Sequence, residues 1–421
     1  MTIAALELND QSLLIQAEDG ALHAEPGFAR LTRDGIVSGE EARAVAWREP
    51  QHVYNQYWCQ LSQAALPSRH AHARHHADIA FAQLRKLWNH AGSPEVLLLL
   101  APGSFSDPQL SLLLGMVGAL PAQAGAVVDS ALAACLDVRE DTLFVDLQMH
   151  DVVLSVCGPR DGTVRVLAQE VVPGVGMAQI QNALARHVSD LMIESYRFDP
   201  LHSSDAEQSI YDQIPHWLTR LRWDQDVSTR LTSVHGEHAC IVNREAVRKL
   251  LGQRFASVRP FLGKWRSCRL LLSHASGLLT GLVEELADAD VAEQTAGTER
   301  CLARQTGILD QGGELYRVQA LASSGPAPVA AVNGDPLATH LLCGDVALPL
   351  DRPVSIRIDD GGPRVSNALD DAAALTVVLR SRALETLRRA ADVELPPSCR
   401  PGESIRVGPH EFRLIRVGES G

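Results

Sequence analysis

The chain has 421 residues, with 38 Lys plus Arg against 51 Asp plus Glu and a formal net charge of −13. At roughly 150 residues per domain that length predicts two to three domains, and 46% hydrophobic with 21% charged residues excludes a disordered or collagenous protein. The acidic balance, with no Lys/Arg block, argues against nucleic-acid and anionic-membrane partners, which rely on positive potential.

Met1–Leu8 has neither a positive n-region nor a long apolar run, and the longest apolar stretch, 96–102, is too short to cross a bilayer. A cytoplasmic protein is expected. Ile3–Leu8, Ser12–Ala17 and a third run after Glu18-Asp19-Gly20 read as a strand meander with tight turns. From Ala71 to His90 the apolar positions Ile79, Ala80, Leu84, Leu87 and Trp88 recur at helical spacing, and Gly92-Ser93-Pro94 ends the pattern. Within it, His72 and His76 would share a helical face at a spacing that can bind a transition metal, but no Glu flanks them, and a solvated helix start is the preferred reading. Val96–Leu100 is a buried strand, and Ser106-Asp107-Pro108 is an N-cap opening a helix through Leu120.

Leu143–Cys157 reads as a hairpin turning at Gln148-Met149-His150, followed by a long helix from about Met177 to Tyr196. Val172–Gly176 has the glycines of a phosphate loop without its Lys, and is better read as a turn. Asn243 opens another helix, 269–272 is a strand, and Gly277–Leu286 is again helical. The Asn55/Tyr57/Trp58 and Trp217/Trp223 groups read as packing residues. The eight cysteines are scattered, with no Cys-x-x-Cys pair, so neither a zinc site nor a disulfide framework is suggested, and no metal centre is assigned. A linker is expected at 322–333, where small residues and prolines accumulate. Beyond it, the runs 339–343, 354–358, 375–379, 404–407 and 412–417 suggest a small β-sandwich, interrupted by a helical or loop-like Ser381–Val393.

Several of these pieces carry a family resemblance. Leu97–Gln109, Ala126–Leu136 and Leu143–Leu147 resemble, in the same order, three strand-to-loop landmarks of DnaK-type heat-shock chaperone ATPase domains, members of the actin/hexokinase-like superfamily. Ile241–Glu245 is similar to the family's opening of a long helix. Leu270–Gly277 is similar to the strand that leads into its adenosine-binding loop, and Leu6–Asp10 occupies the place of its first phosphate loop. The resemblance covers about residues 1–320. It implies an α/β fold of two lobes, actin-like and ribonuclease H-like, in a domain spanning 1–321, with ATP and Mg²⁺ as candidate cofactors. The implied cleft residues are Glu7, Asn9, Asp10, Asp146, Gln148, Ser273, His274 and Gly277.

The chemistry of that family depends on glycine-rich loops that bring backbone N–H groups close to phosphates. Here Asn9 and Asp10 replace a Gly and a small hydroxyl residue, Gln148-Met149-His150 replace three glycines, and only Gly277 remains in the third loop. Glu7 and Asp146 match the two family carboxylates, whereas Ser130 falls where the catalytic Glu belongs. No catalytic residue is therefore assigned. The C-terminal pieces Cys343–Leu350, Cys399–Gly408 and Phe412–Ile415 resemble the first and last strands of a forkhead-associated domain, expected over 334–421, with Arg357 or Arg364 as candidate phosphate readers. Three functions follow: a pseudo-ATPase scaffold or adaptor acting through another protein, a slow Mg-ATP-dependent chaperone-like ATPase, or a phosphopeptide-binding adaptor.

Overall fold

The computed structural model describes residues 1–233, 236–279, 289–309, 317–322, 337–359, 362–380, 383–390, 393–396 and 399–417. The chain divides into two compact units, Met1–Arg222 with Asp226–Gly325, and Trp223–Gln225 with Pro326–Gly421. The fold is mixed α/β with several sheets. Apart from Ala322, the expected linker lies outside the described residues.

The first unit is built on two six-stranded sheets with one plan. In the first, β1 (Ile3–Glu7), β2 (Leu13–Ala17) and β3 (Leu22–Glu25) form an antiparallel meander, while β4 (Val96–Ala101) and β5 (Gln123–Asp129) add in parallel on the other side of β1. In the second, β6 (Thr142–Leu147), β7 (Asp151–Arg160) and β8 (Thr163–Pro173) repeat the meander, with β9 (Arg269–Leu272) and β10 (Asp290–Val291) parallel beside β6. The sixth strands differ: Arg317–Val318 extends the parallel side of the first sheet, and Ala320–Ala322 pairs with the meander side of the second.

The alternating faces of these strands explain the layering. On β4, Leu97, Leu99 and Ala101 enter one core with the helices His76–His90 and Asp107–Gly118, while Val96, Leu98 and Leu100 enter another. That second core also takes Phe144 of β6 and Leu132 of the short helix Ser130–Ala134, so both sheets border it. Leu143, Val145 and Leu147 point the other way, onto the helices Met177–Tyr196 and Ser204–Arg220. A strand buried on both faces needs an uninterrupted apolar run, which is the sequence of β4. No helix of the described residues is long and apolar enough to cross a membrane.

One local expectation needs correction here. The first long helix begins at His76 rather than near Ala71, because Asp78 turns back to accept the backbone N–H groups of Arg74 (2.7 Å) and His75 (3.4 Å) and so caps the first turn. His72 and His76 therefore do not share a helical face. They point to separate carbonyls, those of Arg33 (2.9 Å) and Gln60 (3.1 Å). A short helical turn spans His274–Gly277, and most of the helix expected over Gly277–Leu286, from residue 280 on, lies outside the described residues.

The second unit has two antiparallel sheets, of five and four strands, whose inner faces share one core that includes Leu341, Ile356, Val377, Ile405 and Phe412. Ala383–Arg389 is a strand paired with Leu375–Arg380, not a helix or loop. Leu384 packs against the core from this strand, an inward residue that the surrounding charges obscure in the sequence.

Candidate functional site

The expected cleft residues come together where the ends of β1, β6 and β9 face one another. A cleft of about 220 Å³ is lined by Glu7, Asn9, Asp146, Ser273 and His274, with Glu293 and Gly297 completing its far wall. Asp10, Gln148 and Gly277 are close by without lining it. Asp10 and Gln148 are nearly inaccessible, at 3% and 5% exposure.

Asn9 and Asp10 do not hold open a phosphate loop. They tie the first sheet to the second. The Asn9 side-chain amide donates to Asp146 Oδ1 (3.1 Å) and to the Leu147 carbonyl (3.0 Å), while its own oxygen accepts the backbone N–H of Gln11 (3.0 Å). Asp10 Oδ1 accepts the backbone N–H of Met149 at 2.6 Å. A buried charge-assisted bond of this kind contributes about 1.5–3 kcal/mol. Met149 itself is 2% exposed and packs into the core behind the turn. The two loops are in direct contact.

The β6–β7 turn is equally fixed from behind. Gln148 N–H donates to the Asp151 carbonyl (2.9 Å), and Met177 and Ala178, at the start of the long helix, donate to the carbonyls of Gln148 (2.9 Å) and Met149 (2.8 Å). Gly174 and Gly176 both donate to the His150 carbonyl, at 3.1 and 3.2 Å. The glycines of the segment Val172–Gly176 thus cradle a backbone oxygen of the neighbouring turn.

Both oxygens of Asp146 carry a hydrogen bond. Oδ1 is taken by Asn9 and Oδ2 by the Gln148 amide. Burial raises its pKa to about 6, against the lowering effect of Ser273, Gln148 and Asn9. Glu7 is raised further, to about 8, by burial first and then by the Asp146 charge. Near neutral pH the pair therefore holds one ionised carboxylate, with a hydrogen bond on each oxygen, and one carboxyl that is largely protonated.

The third loop keeps a packing role. Ser273 caps the His274–Gly277 turn by accepting the Ser276 N–H (3.3 Å), and the Ser276 hydroxyl donates to the Val145 carbonyl (2.9 Å). A Cβ on Gly277 would lie 2.4 Å from Val291 Cγ1, so its glycine is required by strand β10. Ser130 is buried at the start of its helix and does not line the cleft. Tyr57 and Trp58 are fully buried and share the Gln83 side-chain oxygen (2.5 and 2.8 Å), which makes them core residues.

In the second unit, Arg357 and Arg364 are cross-strand partners and converge on Asp359, at 2.7 and 3.3 Å. A phosphate would have to compete with that carboxylate for both of them. Glu293 and Gly297 were missed by sequence reasoning because they follow the landmarks of the resemblance. The close fit of Gly297 against Leu100 and Glu7, 3.1 and 3.6 Å from its would-be Cβ, leaves no motif to find. No protein-family model matches the sequence, and no curated protein matches it.

Proposed function

We propose that the chain is a degenerate protein of the actin/DnaK-like fold that works as a non-catalytic scaffold or adaptor, binding another protein rather than turning over ATP. The duplicated strand plan, an antiparallel meander with two parallel strands added in each sheet, supports the fold assignment. One observation carries the functional reading: Asp10 and Asn9 bond directly to Met149, Leu147 and Asp146, across the space that a triphosphate would need. The cleft that remains, about 220 Å³, is smaller than the roughly 300–1,000 Å³ of ordinary small-molecule pockets.

The rival is a slow Mg-ATP-dependent ATPase using Glu7 and Asp146. Thermal unfolding with millimolar ATP separates the two, because a ligand bound to the folded state raises the melting temperature by mass action. The expected result is no shift with or without Mg²⁺ and no phosphate release. A Mg²⁺-dependent rise that disappears in Asp146→Ala would establish the ATPase reading instead.

A further inference from the structure

Below the contact between the two loops, a second group of side chains converges. Asp10 comes from the β1–β2 loop, Cys59 from a turn after Tyr57 and Trp58, and His150 from the β6–β7 turn. One ligand atom from each lies within 4.8 Å of the other two. We propose that Asp10, Cys59 and His150 form a binding site for one zinc-class transition-metal cation, which joins the two sheets of the first unit. The inference stands whether or not the cleft takes nucleotide.

The donor set decides the class of cation. A thiolate and an imidazole select borderline-soft d-block ions over Mg²⁺ or Ca²⁺. In a tetrahedral zinc site, bonds of about 2.0–2.3 Å place ligand atoms about 3.3–3.8 Å apart, so the three side chains need to close by about 1 Å. The histidine has one ring nitrogen engaged and one left for a ligand bond. Its Nε2 lies 2.9 Å from the Asn55 carbonyl, which can only accept, so Nε2 carries the proton and Nδ1 the lone pair. Asp10 accepts the Met149 N–H through Oδ1. The backbones are held as well, with the Asp10 carbonyl accepting the Gly27 N–H (2.9 Å) and the His150 carbonyl accepting those of Gly174 and Gly176.

His150 also lines a neighbouring cavity of about 280 Å³ with Asn55 and Gln56. On binding, the Cys59 thiol proton leaves to solvent and the thiolate takes its place on the metal. A Cys–His–Asp nucleophilic triad is the competing chemistry. It requires a Cys–His hydrogen bond, whereas Cys59 Sγ is bonded to the Gln56 carbonyl (3.3 Å) and His150 to Asn55.

The test uses the full chain, stripped with a chelator and titrated with Co²⁺ and Zn²⁺. Expected are one equivalent bound, a thiolate-to-Co²⁺ charge-transfer band that Cys59→Ser abolishes, and an affinity lowered at least about tenfold by His150→Ala. A second readout needs no variant: in the wild-type chain Zn²⁺ protects Cys59 from alkylation and leaves Cys240 and Cys268 reactive. Binding that is unchanged in Cys59→Ser, as surface histidines would give, or absence of protection at Cys59, overturns the proposal.

Discussion

Replacing Gly176 by alanine is expected to destabilise the protein by about 3 kcal/mol, the upper part of the range for forcing an extra group into packed structure. The position tolerates alanine conformationally, with φ −73° and ψ −178°, so backbone strain is not the cause. The obstacle is space. A Cβ there would lie 2.4–2.5 Å from the N, Cα and C atoms of His150, and these cannot retreat while the His150 carbonyl holds the Gly174 and Gly176 N–H groups. Gly174 is the natural control: it has φ +73° and nothing within 4 Å of its would-be Cβ, so Gly174→Ala meets only the left-handed penalty of about 1–2 kcal/mol. Chemical denaturation of both variants checks the ordering. Equal or reversed costs would mean that the β6–β7 turn is not anchored as described.

The second large effect is a dependence of stability on pH. Glu7 goes from 4.5, its ordinary value, to about 8 in the folded chain. A carboxyl raised on folding binds its proton more tightly in the native state. Its contribution is therefore fully present below about pH 4.5 and is lost as pH rises towards 8. Asp10 and Asp146, both raised from 3.8 to about 6, act in the same direction over a lower window. At about 1.4 kcal/mol per pKa unit, the Glu7 effect is on the order of several kcal/mol. Glu7→Gln removes the titrating group while keeping its shape. Melting temperatures of this variant and the wild type are expected to agree near pH 4.5 and to diverge by pH 8, with the variant the more stable. Asp137 and Asp141, held low by arginines, lose stabilisation only at more acid pH and do not confuse this window. Parallel pH profiles for the two proteins would show that Glu7 is solvated and not buried in the cleft wall.

Much of the fold is legible in the sequence because it rests on local signals. The run Val96–Ala101 reads as a buried strand, and Ser106-Asp107-Pro108 marks a helix start. The turn at Gln148-Met149-His150 and the helix Met177–Tyr196 follow from polar interruption and from apolar periodicity. What sequence reading cannot supply is contact between distant segments. The replaced loop residues indicate that phosphate space is filled, but not that Asp10 reaches Met149, 139 positions away. Cys59 looks like an ordinary core thiol until the fold brings it to Asp10 and His150. Ala383–Arg389 was misjudged for a related reason: its strand identity comes from pairing with Leu375–Arg380, while its own residues are charged enough to suit a helix or a loop.

The joined loops are the feature on which a scaffold differs from an ATPase, and amide hydrogen exchange at Met149 reads them directly. Its N–H is bonded to Asp10 Oδ1 at 2.6 Å within a buried turn, so exchange is expected to be slow in the free protein and unchanged by millimolar Mg-ATP. Fast exchange in the free protein that slows when Mg-ATP is added would contradict this, because it would mean that the loops stand apart and close on nucleotide.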